Sequence, residues 1–378
     1  MQRQDFASVD RNAWCKGQRD SGMRVVAALL LTFALIGLPG CGGSISGLPV
    51  ENGGAPLPPG DPAYQTAVQV KYLGAGGVLI KRGDDSLLTA PFFSNPSMLR
   101  VAFGELRPLP EQIERFLGPT GGKDLAGATA VLVGHAHYDH LMDVPYIKQK
   151  YLPRAKIYGS ETMKNTLAGD PTLKAADVES VEKDAWSVNM PEQSVKWWPE
   201  KGSPRMRFMA LKSEHAPVFA GLKFFEGNYR DPLPALPTSA WGWLEGQTLA
   251  YLIDFLGADG KVEFRIHYQD AASTPPLGFP PQFSAPPDQR PVDLVIVCMP
   301  GFDQVKDYPE KVIKRLQPRS VIIIHWENFF ALLPDDPRDL RVVPTVNAER
   351  FLASLKSALP EGASFKLPAP GTWMRYAP

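Results

Sequence analysis

Residues 135–140, His-Ala-His-Tyr-Asp-His, place three imidazoles and a carboxylate in one short stretch. The whole chain of 378 residues has only six histidines, so half of them lie here. Imidazole is a ligand for zinc, iron or nickel, and a carboxylate suits the harder cations of that range. In a core, each of these groups would need its own buried partner. A metal ion serves them all. The apolar residues Val131, Leu132 and Val133 precede the cluster, and Gly134 breaks the run. A strand end of this kind is a rigid platform from which the next loop can aim several side chains at one point.

With these residues the chain resembles the metallo-β-lactamase superfamily, whose signature is His-x-His-x-Asp-His. The resemblance continues in order along residues 67–330, through His215, Asp270 and His325, each after an apolar, β-prone run. It implies an α/β fold: an αββα sandwich of two mixed sheets with helices on the outer faces. It also implies two divalent metal ions, with zinc expected and iron or manganese as alternatives. One would be held by His135, His137 and His215, the other by Asp139, His140 and His325, and Asp270 would bridge them. Two cations roughly 3.5–4 Å apart can share a hydroxide and direct it at an ester-type bond. Asp139 is the expected catalytic residue, as a ligand first and as a group that orients the nucleophile second.

Each downstream residue has a rival. Glu214 adjoins His215, but imidazole is the commoner ligand in such sites. His267 competes with Asp270; strand alternation sets it apart from Ile266 and Tyr268, as a packed or surface residue. Asp254 is a further competitor, and Asp270 is preferred because the small residues Ala271, Ala272 and Ser273 let a loop turn close to a metal. Tyr138, Glu214 and Glu327 are the neighbours expected to support the ligands. Cys298, on a strand ahead of Pro300 and Gly301, is expected in the core.

Within the superfamily the chain is similar to the lactonase-like and N-acyl-phosphatidylethanolamine phospholipase D-like branch. The similarity rests on Leu88-Thr89-Ala90-Pro91-Phe92 and on His325-Trp326. Ala90 stands where that branch carries aspartate. The implied activity is hydrolysis of a phosphodiester, with lipids among the candidate substrates, and a lactone, other carboxylic ester or β-lactam is the second expectation. Two other classes compete: a non-catalytic metal-binding lipoprotein, and an iron oxidoreductase. Trp241, Trp243, Phe279 and Phe283 are candidates for an apolar substrate wall.

The surrounding elements read as follows. Residues 68–73, 77–81 and 86–92 form an antiparallel meander, and 128–133 is the strand leading into the cluster. Strands are also expected over 206–211, 248–255, 263–268, 293–299 and 320–324. Helices are expected over 109–117, 144–150, 310–316 and 348–359, the last capped by Asn347, and Ser160 caps another that contains Met163 and Leu167. The proline-rich loops 228–238 and 272–290 are long enough to serve as lids or binding loops.

The N-terminus reads as an address. Residues 1–22 are a polar extension, and Met23 is a plausible true start. Residues 23–41 have a basic start, an apolar run too short for the roughly 20 residues of a membrane-spanning helix, and Leu38-Pro39-Gly40-Cys41, which resembles a bacterial lipobox. This implies an exported protein anchored at the periplasmic face of a membrane by lipid on Cys41. Residues 42–66 read as a Gly/Pro-rich tether, and 67–378 as one domain. With 40 basic and 40 acidic residues the chain lacks the field that nucleic-acid binding needs. The expected partners are a small-molecule or lipid substrate and the membrane.

Overall fold

A computed structural model describes residues 42–200, 205–217 and 223–377. The expected extension, signal segment and Cys41 lie outside the described residues. Two seven-stranded mixed sheets form the architecture. The first runs, in spatial order, Trp373–Tyr376, Val68–Gly74, Gly77–Arg82, Asp85–Thr89, Ala128–Leu132, Lys156–Gly159 and Val178–Ser180. Its first four strands are antiparallel, and the rest run parallel to Asp85–Thr89. The second runs Met206–Lys212, Leu249–Leu256, Val262–Gln269, Leu294–Cys298, Ser320–Ile324, Ser364–Pro368 and Val50–Glu51. It repeats the plan: an antiparallel meander, then parallel strands.

Alternating side chains point to opposite faces of a strand. Every residue of Leu294–Cys298 is nonetheless buried, so both faces of that strand are covered, as parallel sheets require. The inner cover is the other sheet. The Tyr251 hydroxyl donates to the Val133 carbonyl at 2.8 Å, and the Tyr268 hydroxyl to the Gly76 carbonyl at 2.6 Å. The outer covers are helical. Pro110–Leu125 packs on Val144–Tyr151, and Glu310–Leu316 on Ala348–Ala358. In the last helix Phe351, Leu352, Leu355 and Ala358 form one buried stripe, and the Asn347 side chain accepts from the Arg350 N–H. The expected αββα sandwich is the fold observed.

The helix expected over 109–117 starts at Pro110 and kinks at Gly118, whose backbone is non-helical, before its helical continuation ends at Leu125. One difference from expectation matters later. The stretch expected as a free tether is laid along the domain: Gly43–Ser44 pairs with Arg341–Val342, and Val50–Glu51 with Leu367–Pro368. Its Gly/Pro composition hid this, because the pairing partners lie some three hundred residues away in sequence. Among the described residues, no helix is long and apolar enough to cross a membrane.

The parallel strands place their carboxyl ends along one edge of the sandwich, where ligand sites of α/β sheets commonly form. Ala128–Leu132, Met206–Lys212, Val262–Gln269 and Ser320–Ile324 all lead into that edge. The next residues include every side chain singled out as a ligand.

Candidate metal centre

From the first strand end the chain passes through Gly134 to His135 and His137, and then into a single helical turn, Tyr138–Leu141, with His137 as its N-cap residue. The loop is tied to the facing sheet: Leu249 N–H donates to the Gly134 carbonyl, and Ala136 N–H to that of Glu245. Below it, the Asp143 carboxylate accepts from the Phe93 and Ser94 amides at 2.8 and 2.9 Å and from the Ser94 hydroxyl at 2.6 Å. Burial pushes Asp143 up to about 6 against these three hydrogen bonds, so it is ionised at neutral pH and pins the segment after Thr89.

All seven expected residues converge. One ring nitrogen from each of His135, His137 and His215 lies within 4.8 Å of the others, and the same limit holds for ligand atoms of His135, Asp139 and His140. The Asp270 carboxylate stands between the two groups, with Oδ1 3.3 Å from His135 Nδ1 and Oδ2 3.3 Å from His140 Nδ1. The Asp139 Oδ2 lies 3.5 Å from His140 Nε2 and 3.3 Å from His325 Nε2. All are buried except His215, which is half-buried. The His215 Nδ1–H donates to the Ala216 carbonyl at 2.6 Å, which leaves its Nε2 for the cluster.

Burial and the neighbouring imidazoles hold His135 down to about 3 and His137 well below its ordinary range; burial also lowers His215. These rings are neutral at pH 7 and keep a lone pair to donate. For Asp139 and Asp270 burial acts upward, but the surrounding histidines outweigh it and hold both carboxyls well below the usual range. Burial likewise pulls His140 down, and the two carboxylates overcome it and raise that ring.

The donor set fits a cation. His135 Nε2, His137 Nε2 and His325 Nδ1 are buried side-chain atoms without a hydrogen-bond partner, and His140 Nδ1 and Asp270 Oδ2 have only each other, at 3.3 Å. Orphaned polar atoms cost about 1–3 kcal/mol each when left unpaired, and several of them within one cluster of ligand-type side chains call for a shared partner. Two glycines make the room. A Cβ at Gly134 would stand 2.1 Å from Asp270 Oδ1, and one at Gly76 would stand 2.6 Å from His140 Nδ1.

His325 carries a positive φ of 60°, a region costly for residues with a side chain. A buried network holds it there. The His325 N–H donates to the Tyr72 oxygen at 2.9 Å, the Tyr72 hydroxyl donates to Glu327 Oε2, and the Ala75 N–H donates to Glu327 Oε1 at 2.6 Å. Of the three expected supporting residues, Glu327 has this role. Tyr138 packs edge-on to Phe92 and Phe225, and Glu214 is exposed.

The rivals separate cleanly. Asp254 is paired with Arg265 and Arg207, away from the cluster. His267 is fully buried, with Nε2–H donating to the Gly278 carbonyl at 2.8 Å, and burial lowers it to about 4. An unfolded histidine titrates near 6.5, so below that pH the unfolded chain takes up a proton that the folded one refuses. Stability is therefore expected to fall by about 3 kcal/mol between pH 6.5 and 4 on this account alone. His267→Gln should flatten that part of a pH series of thermal melts.

A cavity of about 380 Å³ opens directly on the cluster, within the range of small-molecule sites. Beyond the ligands its walls are apolar: Leu99 and Val101 on one side, Phe225, Phe329, Phe330 and Val346 on others. Cys298 is buried, as expected of a core residue, and also lines the cavity floor. The parallel register sets Cys298 beside Ile324, one residue before His325, a pairing that local sequence does not reveal. The expected apolar wall is corrected. Trp243 is fully buried, Trp241 packs on Phe225, and Phe283 stacks on Trp197 while Phe279 packs against the core. The two proline-rich loops are pinned: Asn165 bonds the Tyr229 carbonyl, and Arg265 those of Asp288 and Arg290. The true wall residues carried one sequence signal, the Phe329-Phe330 pair just after His325.

No protein-family model matches this sequence, and no curated protein matches it. Among solved structures it is similar to Igni18, a metallo hydrolase from the hyperthermophilic archaeon Ignicoccus hospitalis, at 15% identity over 82% of this chain and 99% of that one, with a TM-score of 0.47. It is similar to the metallo-β-lactamase fold protein YhfI from Bacillus subtilis at 15% identity, over 82% of this chain and 100% of that one, with a TM-score of 0.43. CmlA, a diiron β-hydroxylase from Streptomyces venezuelae, is similar at 15% identity over 84% of this chain and 55% of that one, with a TM-score of 0.43. Which chemistry this chain performs is a matter for its own side chains.

Proposed function

We propose that this chain is a metal-dependent hydrolase that acts on an ester-type bond at the cavity floor. The observation that carries the proposal is the convergence of seven ligand-type side chains, His135, His137, Asp139, His140, His215, Asp270 and His325, beneath a cavity of substrate size. His135, His137 and His215 would hold one divalent cation, and Asp139, His140 and His325 a second. Asp270 would be shared, since its two oxygens face one histidine of each group. Zinc is the metal we expect, with iron or manganese as alternatives. Bound there, such cations would polarise the scissile group and make a water molecule acidic near neutral pH.

The chain's own residues do the rest. Asp139, held ionised, can orient a water and accept its proton. Burial and the nearby Asp270 push the Cys298 thiol well above its ordinary value; it stays protonated and is not the nucleophile. Asp270 and the neutral rings fix the geometry, and the apolar walls exclude bulk water. A phosphodiester is the substrate class we place first, with a carboxylic ester or lactone as the second reading. The second reading is favoured by one feature: among the described residues lining the cavity there is no lysine or arginine to meet a phosphate. We also propose that the protein is exported and anchored through Cys41.

The test is hydrolysis of bis-p-nitrophenyl phosphate, a simple lactone and a β-lactam by metal-loaded protein. Turnover of the phosphodiester supports the first reading, and turnover of only a carboxylic substrate supports the second. Metal uptake without any hydrolysis would overturn both and leave a metal-binding or redox protein. Glu327→Ala is expected to lower metal affinity by roughly 10–100-fold, as read by competition with a chelator, because it frees Tyr72 and the strained His325. Unchanged affinity would deny Glu327 a positioning role.

A further inference from the structure

We infer that the mouth of this cavity is a lipid-docking surface, and that the apolar part of the substrate crosses it to reach the ligand cluster. The helix Met98–Phe103 buries only Val101. Met98, Leu99 and Phe103 are 38, 60 and 53% exposed, and Leu332 is 49% exposed. Met98 and Leu99 line the cavity, Phe103 lies one turn beyond Leu99 on the same helix, and Leu332 follows the lining pair Phe329 and Phe330. Of the five large apolar side chains that are exposed among the described residues, two line the cavity and two more lie within four residues of a lining position in sequence. Single exposed apolar residues need no explanation, but a group around a cavity mouth does.

The place where the chain enters the domain says what covers this rim. Gly43 pairs with Val342, and the residues that follow Val342 line the cavity. Gly42 lies so close to that strand that a Cβ on it would stand 2.3 Å from the Val342 carbonyl oxygen. In the sequence, the apolar run of residues 25–40 stops just before this point. From Gly40 to Gly43 the chain can span at most about 10 Å even when fully extended. A bilayer holding the apolar run, or an acyl group on Cys41, is thereby brought within that reach of the cavity wall. A free tether of some twenty residues would let the domain turn any face to the membrane; three residues beside the cavity do not. The rim is apolar, the anchor is adjacent, and a bilayer is the partner that meets both. Only the part of the inference concerning substrate rests on the hydrolase reading.

The test uses the full chain in bacterial membranes, with p-benzoylphenylalanine in place of Phe103, Leu332 or, as a control, Lys261. The Lys261 side chain is 67% exposed and precedes Val262–Gln269, at the end of that strand opposite Asp270. Irradiation followed by mass spectrometry is expected to give lipid adducts at positions 103 and 332, about tenfold above position 261. Equal labelling at all three positions, labelling of protein alone at 103 and 332, or cross-links between two copies of the chain would overturn the inference. All three replaced side chains are exposed, and thermal melts confirm that each variant is folded. A second measurement separates docking from chemistry. Phe103→Asp with Leu332→Asp should leave hydrolysis of a water-soluble short-chain ester unchanged. The same pair should lower hydrolysis of a long-chain ester in phosphatidylethanolamine–phosphatidylglycerol vesicles by about tenfold. Lipid adducts without hydrolysis of any ester would uphold the docking surface and overturn the hydrolase reading; hydrolysis without adducts would do the reverse.

Discussion

Asp139→Ala is expected to lower turnover on the order of 10³-fold while leaving a folded protein. The Asp139 Oδ2 lies between His140 Nε2 and His325 Nε2, at 3.5 and 3.3 Å. Its removal takes away a ligand, the charge that neutralises a cation, and the group placed to accept a proton. The surrounding frame does not depend on it: the turn Tyr138–Leu141 keeps its backbone hydrogen bonds, and Leu141 and Met142 remain packed in the core. Circular dichroism and a thermal melt check the fold, and kcat on the best substrate checks the chemistry. Asp139→Asn keeps the shape without the charge, so a comparable loss in that variant would assign the effect to charge. Full activity in either variant would contradict the account of the site.

The second large effect is expected from adding one methyl group. At Gly134 a Cβ would lie 2.1, 2.2 and 2.3 Å from Oδ1, Oδ2 and Cγ of Asp270. No side chain tolerates such contacts, so the carboxylate would have to leave the position in which it faces both histidine groups. Gly134→Ala is therefore expected to reduce metal content and to lower turnover on the order of 10²-fold. Without the clash, the change from glycine would be mildly stabilising, by roughly 0.5–1 kcal/mol. Loss of function should thus come without loss of fold. Gly127→Ala, near the start of the same strand, is the control: its Cβ would meet Ser86 Oγ at 3.4 Å, an ordinary contact. A Gly134→Ala protein with full metal content and wild-type kcat would show that Asp270 is not a shared ligand.

What was legible in the sequence follows the range of the interactions involved. Ser320–Ile324 and Glu310–Leu316 lie where apolar patterning puts them. Ser160 and Asn347 cap their helices through side-chain oxygens, accepting from Met163 and Arg350. These are local signals. Lys156–Gly159 and Val178–Ser180 were not legible because they are too short to show a pattern, and Trp373–Tyr376 because it is short and its partner Val68–Lys71 lies at the other end of the domain sequence. Met98–Phe103 has no apolar stripe facing the core, and for the same reason it is left over as a rim.

The site divides along the same line. His135 to His140 declare themselves by density alone, whereas His215, Asp270 and His325 are single residues that only a resemblance picks out, and four strand ends bring them to the cluster. Cys298 and the Glu327–Tyr72–His325 network depend on strand register and on the facing sheet. Neither is written in local sequence. The clamp of Gly43 on Val342 belongs to the same class: a glycine- and proline-rich stretch reads as a tether until its partner strand is known.

The most direct test of the central claim is the metal content of the purified protein, by mass spectrometry, alongside Asp270→Ala. About two divalent ions per chain are expected in the wild type and fewer in the variant. A wild-type protein that carries no metal, and takes up neither zinc, iron nor manganese on reconstitution, would contradict it.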